Sequence, residues 1–460
     1  MAGMKPSPGS PAAAPGGDVR PSLWRHRDFR RYLTGQSASV AGSSISSMAL
    51  PVLAVLELDA TPGQVAMLAF LGQLPPALLA LHAGALADRY AKRKQMITGD
   101  LVSAAALATI PVAAILGTLS LAQLMAVAAV QGAAGVLHDA AAISLLPGLV
   151  DRSLIQRSNS RVGALFAVAA TGGSSLGAAL TALLGPARAL LGDVGSYLFS
   201  AWCTARIQAR ESVPAPAARR RLGAEIAEGW RYVHGDPRLS VLTWVNATTS
   251  LALAILNTLW GLYLLRSLAM PPAVFGMVLG FGALGAATGA LSAPAVARHV
   301  GPGPMMLGAL ALTPLTQIPL LLASPGTSWE ITIGATLFVQ LACAGAAGTT
   351  QRSIRQMITN RSMQARMQSV STCLTSGARP LGALLAGGLG TAAGVRPALV
   401  TGALLLVVPL VVLARSPLRG LRQMPETPAP PDVPGTVVPA PGPAAATDAS
   451  RERSMDGGAP

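Results

Sequence analysis

Apolar residues along this chain gather into twelve stretches, each of about the 20 residues that a bilayer core of roughly 30 Å requires of a helix. They run over 33–56, 64–87, 95–117, 121–147, 162–184, 188–206, 239–265, 273–297, 304–323, 327–350, 367–392 and 396–415. The polar residues between them carry the second pattern. Apart from Arg379, which lies inside a stretch, Lys and Arg fall on alternate connections, and only Arg188, Arg266 and Arg396 lie on the other set. Basic loops stay in the cytoplasm, so the pattern predicts an all-helical, multi-pass inner (plasma) membrane protein with both termini cytoplasmic.

Net charge changes that picture little. A formal charge of +15 raises nucleic acid as a partner, but such binding gathers cations on a soluble face, and here they flank apolar helices. Charged residues are only 12% of the chain, as expected where charge in hydrocarbon is expensive. No Gly-rich loop ending in Lys-Ser or Lys-Thr is present, so no nucleotide is expected. No His and Cys cluster has metal spacing, and no catalytic group or cofactor is predicted. Cys203, Cys343 and Cys373 read as small apolar filler. Residues 1–22 and 424–460 are rich in Pro, Gly and Ala and are predicted disordered. No apolar run precedes the basic segment at 24–31, so no cleavable signal peptide is expected.

The long hydrophilic stretch 207–238 divides the chain into six-helix halves, 23–206 and 239–423. Within it Glu225, Ile226, Glu228 and Trp230 suit an amphipathic helix at the membrane surface. The halves are faintly alike. Trp24-Arg25 corresponds to Trp230-Arg231, Gly72 to Gly282, Arg157 to Arg366, and Leu176-Gly177-Ala178 to Leu381-Gly382-Ala383. A near-constant offset across separate helices predicts two parallel repeats with a ligand site at the midplane between them.

Between the second and third stretches stands Gly84-Ala85-Leu86-Ala87-Asp88-Arg89-Tyr90-Ala91-Lys92-Arg93-Lys94. It resembles the signature loop of the major facilitator superfamily. Together with Leu74-Pro75-Pro76, Leu146-Pro147 and Arg379-Pro380-Leu381-Gly382, it makes residues 23–423 similar to the macrolide-efflux and enterobactin-exporter-like branch, which are drug:proton antiporters. The resemblance implies a cytoplasmic gate of Gly84, Asp88, Arg89, Lys92 and Arg93. An acidic residue at a helix end there can latch an opposing helix N-terminus in one orientation of the halves only. The exporter motif of the fifth helix survives in part: Gly163, Gly172, Gly173 and Gly177 remain for close helix packing, but Ser174 stands where the branch has proline.

Ionisable groups inside spans are functional candidates. Asp100, His138, Asp139 and Arg379 are the candidates for proton or charge coupling, with salt bridges to the nearby gate cations the other role for the two aspartates. Arg379 is the deepest charge, and its expected partner is an anionic substrate group or a carboxylate from the first half. Asp193 is expected to pair with Arg188, and Asp59 to be solvated at the outer surface. Gln36, Gln73, Gln131, Asn246 and Gln340, with Arg379, are cavity candidates, interhelical hydrogen bonding being their other possible role; Gln317 is the poorest. These features predict a monomeric secondary transporter that exports an amphipathic small molecule in exchange for protons. The other function class is a non-transporting membrane sensor or assembly partner that keeps the fold.

Overall fold

The computed structural model describes residues 26–150, 155–209, 222–360 and 363–424, and gives the backbone alone for 80–89, 155–157, 159–160, 222–226 and 365. The tails expected to be disordered and the side chains of Gly84, Asp88 and Arg89 lie outside the described residues. Helices in the first half are α1 (Arg27–Val52), α2 (Pro62–Arg89), α3 (Lys92–Ile115), α4 (Leu121–Leu145), α5 (Ile155–Leu184) and α6 (Pro186–Ala205). A helix α7 (Leu222–Gly235) follows, then α8 (Pro237–Leu262), α9 (Pro272–Val300), α10 (Pro302–Leu315), α11 (Gln317–Leu322), α12 (Thr327–Ile358), α13 (Gln364–Ala392), α14 (Val395–Leu405) and α15 (Val407–Ala414).

Among the described residues, nine helical segments are long and apolar enough to cross a membrane. Helices α2, α6 and α13 coincide with the remaining three expected spans. Two spans are broken, and the sequence explains where. A proline ring clashes with the carbonyl four residues earlier; α10 ends at Leu315, four before Pro319, and α14 ends at Leu405, four before Pro409.

The repeat extends to backbone detail. The outer ends of α1 and α8 each finish in a π-helical turn, Leu53–Glu57 and Tyr263–Ser267. Two residues on, Asp59 (φ 48°) and Ala269 (φ 50°) take the same left-handed conformation. The amides of Ala60 and Met270 then close the turns on the carbonyls of Ala54 and Leu264.

Within the first half α1 packs on α5 and α6, α2 on α4, and α3 on α4 and α6; within the second, α8 packs on α13, α14 and α15, and α9 on α12. The halves meet through α2 with α13 and through α5 with α9. Their contacts concentrate at the end bearing the paired turns. Met48, Val52, Val55 and Ala178 of the first half join Leu259, Leu262 and Phe275 of the second in one buried cluster. A Cβ on Gly276 would lie 2.3 Å from that of Ala178, and one on Gly387 2.5 Å from that of Ala66, so the backbones there approach too closely for any side chain.

Helix α7 is the amphipathic helix expected, but it docks on the second half. Glu228 pairs with Arg366 at the start of α13, and the Tyr232 hydroxyl accepts from the Asn360 amide at 3.2 Å.

Candidate functional site

Helical spacing places the polar side chains of the first half around one cavity of about 710 Å³. On α1, Tyr32, Gln36, Ser39, Ser43 and Ser47 recur every three or four residues and so share a face. Asp100 and Ser103 do the same on α3, as do Gly135, His138 and Ala142 on α4, with Asp139 beside them. At the centre, Asp100 Oδ1 is 3.3 Å from His138 Nε2, which also meets the Gln36 amide at 3.2 Å. His138 Nδ1 is 3.4 Å from Asp139. Asp100 is 1% exposed and its second oxygen has no hydrogen-bond partner among the described residues, whereas the Asp139 side chain is 76% exposed. The arrangement is a buried carboxylate joined through one imidazole to an open carboxylate. An imidazole hydrogen-bonded at both nitrogens can accept a proton on one side and release it on the other.

Behind this cavity lies a second acidic group, and its partners are not the Arg188 beside it in the chain. Asp193 on α6 is fully buried and bonds Ser46 of α1 and Ser196 (2.9 Å), not Arg188. Tyr197, one turn beyond Asp193 along α6, bonds Ser43 (3.3 Å) and Gln131 of α4 (3.2 Å). The carboxylate reaches α1 because Gly42 leaves room: a Cβ there would lie 1.9 Å from the Ser196 hydroxyl and 2.4 Å from Asp193. The run of serines at 37, 39, 43, 44, 46 and 47 is the signal that this face of α1 is polar.

The other candidates divide. Gln73 and Arg379 line a cavity of about 390 Å³ between the halves, with Ser250 and Asn257 of α8. Asn246 instead donates to Thr375 of α13 at 2.8 Å, and the buried Gln340 accepts from Gln317 at 2.9 Å. Both tie helices together, because a buried amide is costly unless bonded. Of the glycines on α5, Gly173 and Gly177 let that helix touch α1 at Ala41 and Ile45, while Gly163 and Gly172 have open space where a side chain would stand.

In the gate loop, Lys92 donates to the Ser144 carbonyl at 3.1 Å and Arg93 to the Ala205 carbonyl at 3.0 Å. Each cation thus caps the C-terminal end of a helix in its own half, where free carbonyls and the helix dipole favour positive charge. Asp28 completes that rim, accepting from Arg31 and from the amides of Gln208 and Ala209. At the opposite end Arg266 of the second half reaches Asp59 (3.1 Å) and the carbonyls of Val55 (2.8 Å) and Ala60 (3.2 Å) of the first.

Known proteins resemble the chain over most of its length. The multidrug efflux pump Tap of Mycolicibacterium fortuitum is 27% identical over 387 residues, covering 82% of this chain and 93% of that protein. The pump of the same name from Mycobacterium tuberculosis (strain ATCC 25618 / H37Rv) is 28% identical over 404 residues, covering 84% and 93%. Among solved structures, a bacterial homologue of the iron transporter ferroportin in its inward-facing state aligns with a TM-score of 0.68 at 16% identity, over 86% of this chain and 99% of that one. An outward-facing structure of such a homologue aligns at 0.57 over 84% and 98%, also at 16% identity. Residues 22–443 match the family described as transmembrane secretion effector. This chain therefore belongs to the transmembrane secretion effector family, within the major facilitator superfamily of secondary transporters.

Proposed function

We propose that this protein exports an amphipathic small molecule across the cell membrane in exchange for protons, as a monomer with both termini in the cytoplasm. The halves 23–206 and 239–423 rock about the midplane, and residues 207–238 link them on the cytoplasmic side. The observation that carries this reading is an ionisable pair, Asp100 and His138, set beside a cavity inside one half, while the close contacts between the halves among the described residues gather toward the end bearing the paired turns. The efflux names of the Tap relatives agree with export.

In this reading the paired turns face the outside, so Arg266 and the glycine contacts close the outer end and the protein rests open to the cytoplasm. The better alignment with the inward-facing ferroportin homologue supports that assignment. Asp88 and Arg89, beside Lys92 and Arg93, close the cytoplasmic end in the other state. Substrate and proton need only favour opposite states by a few kcal/mol to be exchanged. In the cytoplasm-open state the proton carried by Asp100 passes to His138 and leaves through the exposed Asp139.

Reconstituted vesicles under an imposed pH gradient test the reading. Substrate-dependent proton movement opposite to flux supports it; absence of gradient-driven flux across a broad panel of compounds contradicts it.

A further inference from the structure

Arg379 lines the cavity between the halves, and among the described residues it has no counter-ion. No carboxylate lines that cavity, and among the described residues Arg379, Gln73, Ser250 and Asn257 make no side-chain hydrogen bond or ion pair. The guanidinium is exposed to that cavity, and a charge within a membrane-spanning helix is tolerated where it lines such a cavity or meets an opposite charge. The helix that carries it is held against α8 on both sides of Arg379. One turn before it, Thr375 of α13 is bonded to Asn246 of α8. One turn after it, a Cβ on Gly382 would lie 2.6 Å from that of Ala254 and 2.7 Å from the Leu251 carbonyl, so α8 and α13 are in contact there. The cavity runs alongside these ties, and Ser250 and Asn257, seven residues apart, share the face of α8 that borders it.

The acidic cavity of the first half has the opposite chemistry and shares no lining residue with this one. Five N–H donors in a planar fork match an oxyanion, and the amides of Gln73 and Asn257 add further donors. We propose that the Arg379 cavity binds a carboxylate or similar oxyanion on the transported molecule, so that the exported compounds are amphipathic acids and their binding is separate from the proton site at Asp100 and His138. This rests on the transport reading above and names its substrate class. Gln73 belongs to the first half and Arg379 to the second, so rocking changes their separation and the bound anion senses the conformation.

The test uses the full-length purified protein in a maltoside detergent, with three probes: a naphthyl-tagged eight-carbon carboxylic acid, its methyl ester and the matching amine. Binding is read by energy transfer from tryptophan. The acid is expected to bind at least tenfold more tightly than the ester or the amine. Arg379→Gln should weaken the acid tenfold or more while leaving the other two within twofold, and Arg379→Lys, which keeps the charge but not the fork, should fall between. Gln73→Ala should weaken the acid alone, about threefold. Equal weakening of all three probes, or no preference for the acid in the unaltered protein, overturns the proposal. Displacement of the acid by phosphatidylglycerol at stoichiometric amounts assigns the site to a lipid headgroup and overturns it too. Vesicle flux of the same probes reads the transport proposal on its own: gradient-driven amine flux without acid preference sinks only the anion site, and acid preference without any flux sinks only the transporter.

Discussion

Arg266 donates to Asp59 and to two backbone carbonyls across the junction of the halves, which makes it the chief polar tie at the closed end. Asp59 is 92% exposed, so the ion pair itself contributes little. The carbonyl bonds matter more, since each hydrogen bond to a charged group contributes about 1.5–3 kcal/mol. Arg266→Gln should therefore raise the open population at that end by about tenfold or more. Cysteines replacing Pro62 and Gly390, whose Cβ positions are 3.1 Å apart, should cross-link readily in the parent and markedly less in the variant.

Asp100→Asn keeps the shape of the buried pair with His138 and removes its titratable proton. Flux driven by a pH gradient should fall to the level without protein, while exchange of substrate down its own gradient should continue. Loss of both modes, with the protein still folded, would show that Asp100 serves substrate binding or packing rather than coupling.

Gly42→Ala should destabilise the first half by about 1–3 kcal/mol, the range for inserting a methyl group into a packed interior. The new carbon would strike Ser196 and Asp193. Thermal unfolding followed by tryptophan fluorescence reads the shift. The double variant with Asp193→Ala should recover part of it, because the clash and the carboxylate share one space.

Ala269→Gly is expected to stabilise the fold. A left-handed residue other than glycine carries about 1–2 kcal/mol of strain, and Ala269 has no side-chain group to offset it at φ 50°. The extra freedom of glycine in the unfolded chain offsets about 0.5–1 kcal/mol of that, so the net gain is at most about 1.5 kcal/mol. Asp59→Gly should gain less, because it also loses the partner of Arg266. Comparing the two unfolding temperatures checks the order.

The spans were legible in the sequence because a helix facing lipid must be apolar over its whole length, and the depth of Arg379 followed from counting along one helix. Partners were harder to read. Asp193 stands near Arg188 in the chain, but the α1–α6 contact that gives it Ser46 is made by tertiary packing, with Gly42 and the serines around it as its local signs. Asn246, Gln340 and Gln73 look alike as isolated amides in apolar helices; only the neighbouring helix decides that the first two bond Thr375 and Gln317 while the third stays free in a cavity. Gly173 and Gly163 differ in the same way, one pressed on α1 and the other against open space. Pro319 and Pro409 account for both helix breaks once the structure is known, but spans 304–323 and 396–415 read as unbroken in the sequence, where Pro111, Pro294 and Pro380 look the same and lie inside continuous helices.

Reciprocal movement of the two ends is the central claim, and paired spin labels measure it directly. One pair, at Thr118 and Ser328, reports the outer end; the other, at Gly148 and Asn360, reports the inner. All four positions are exposed. In lipid nanodiscs without ligand the outer pair should be close and the inner pair far, and a transported compound or a change of pH should shorten the inner distance as it lengthens the outer. Distances that stay fixed under every ligand and pH, or that change at both ends in the same direction, would contradict the account.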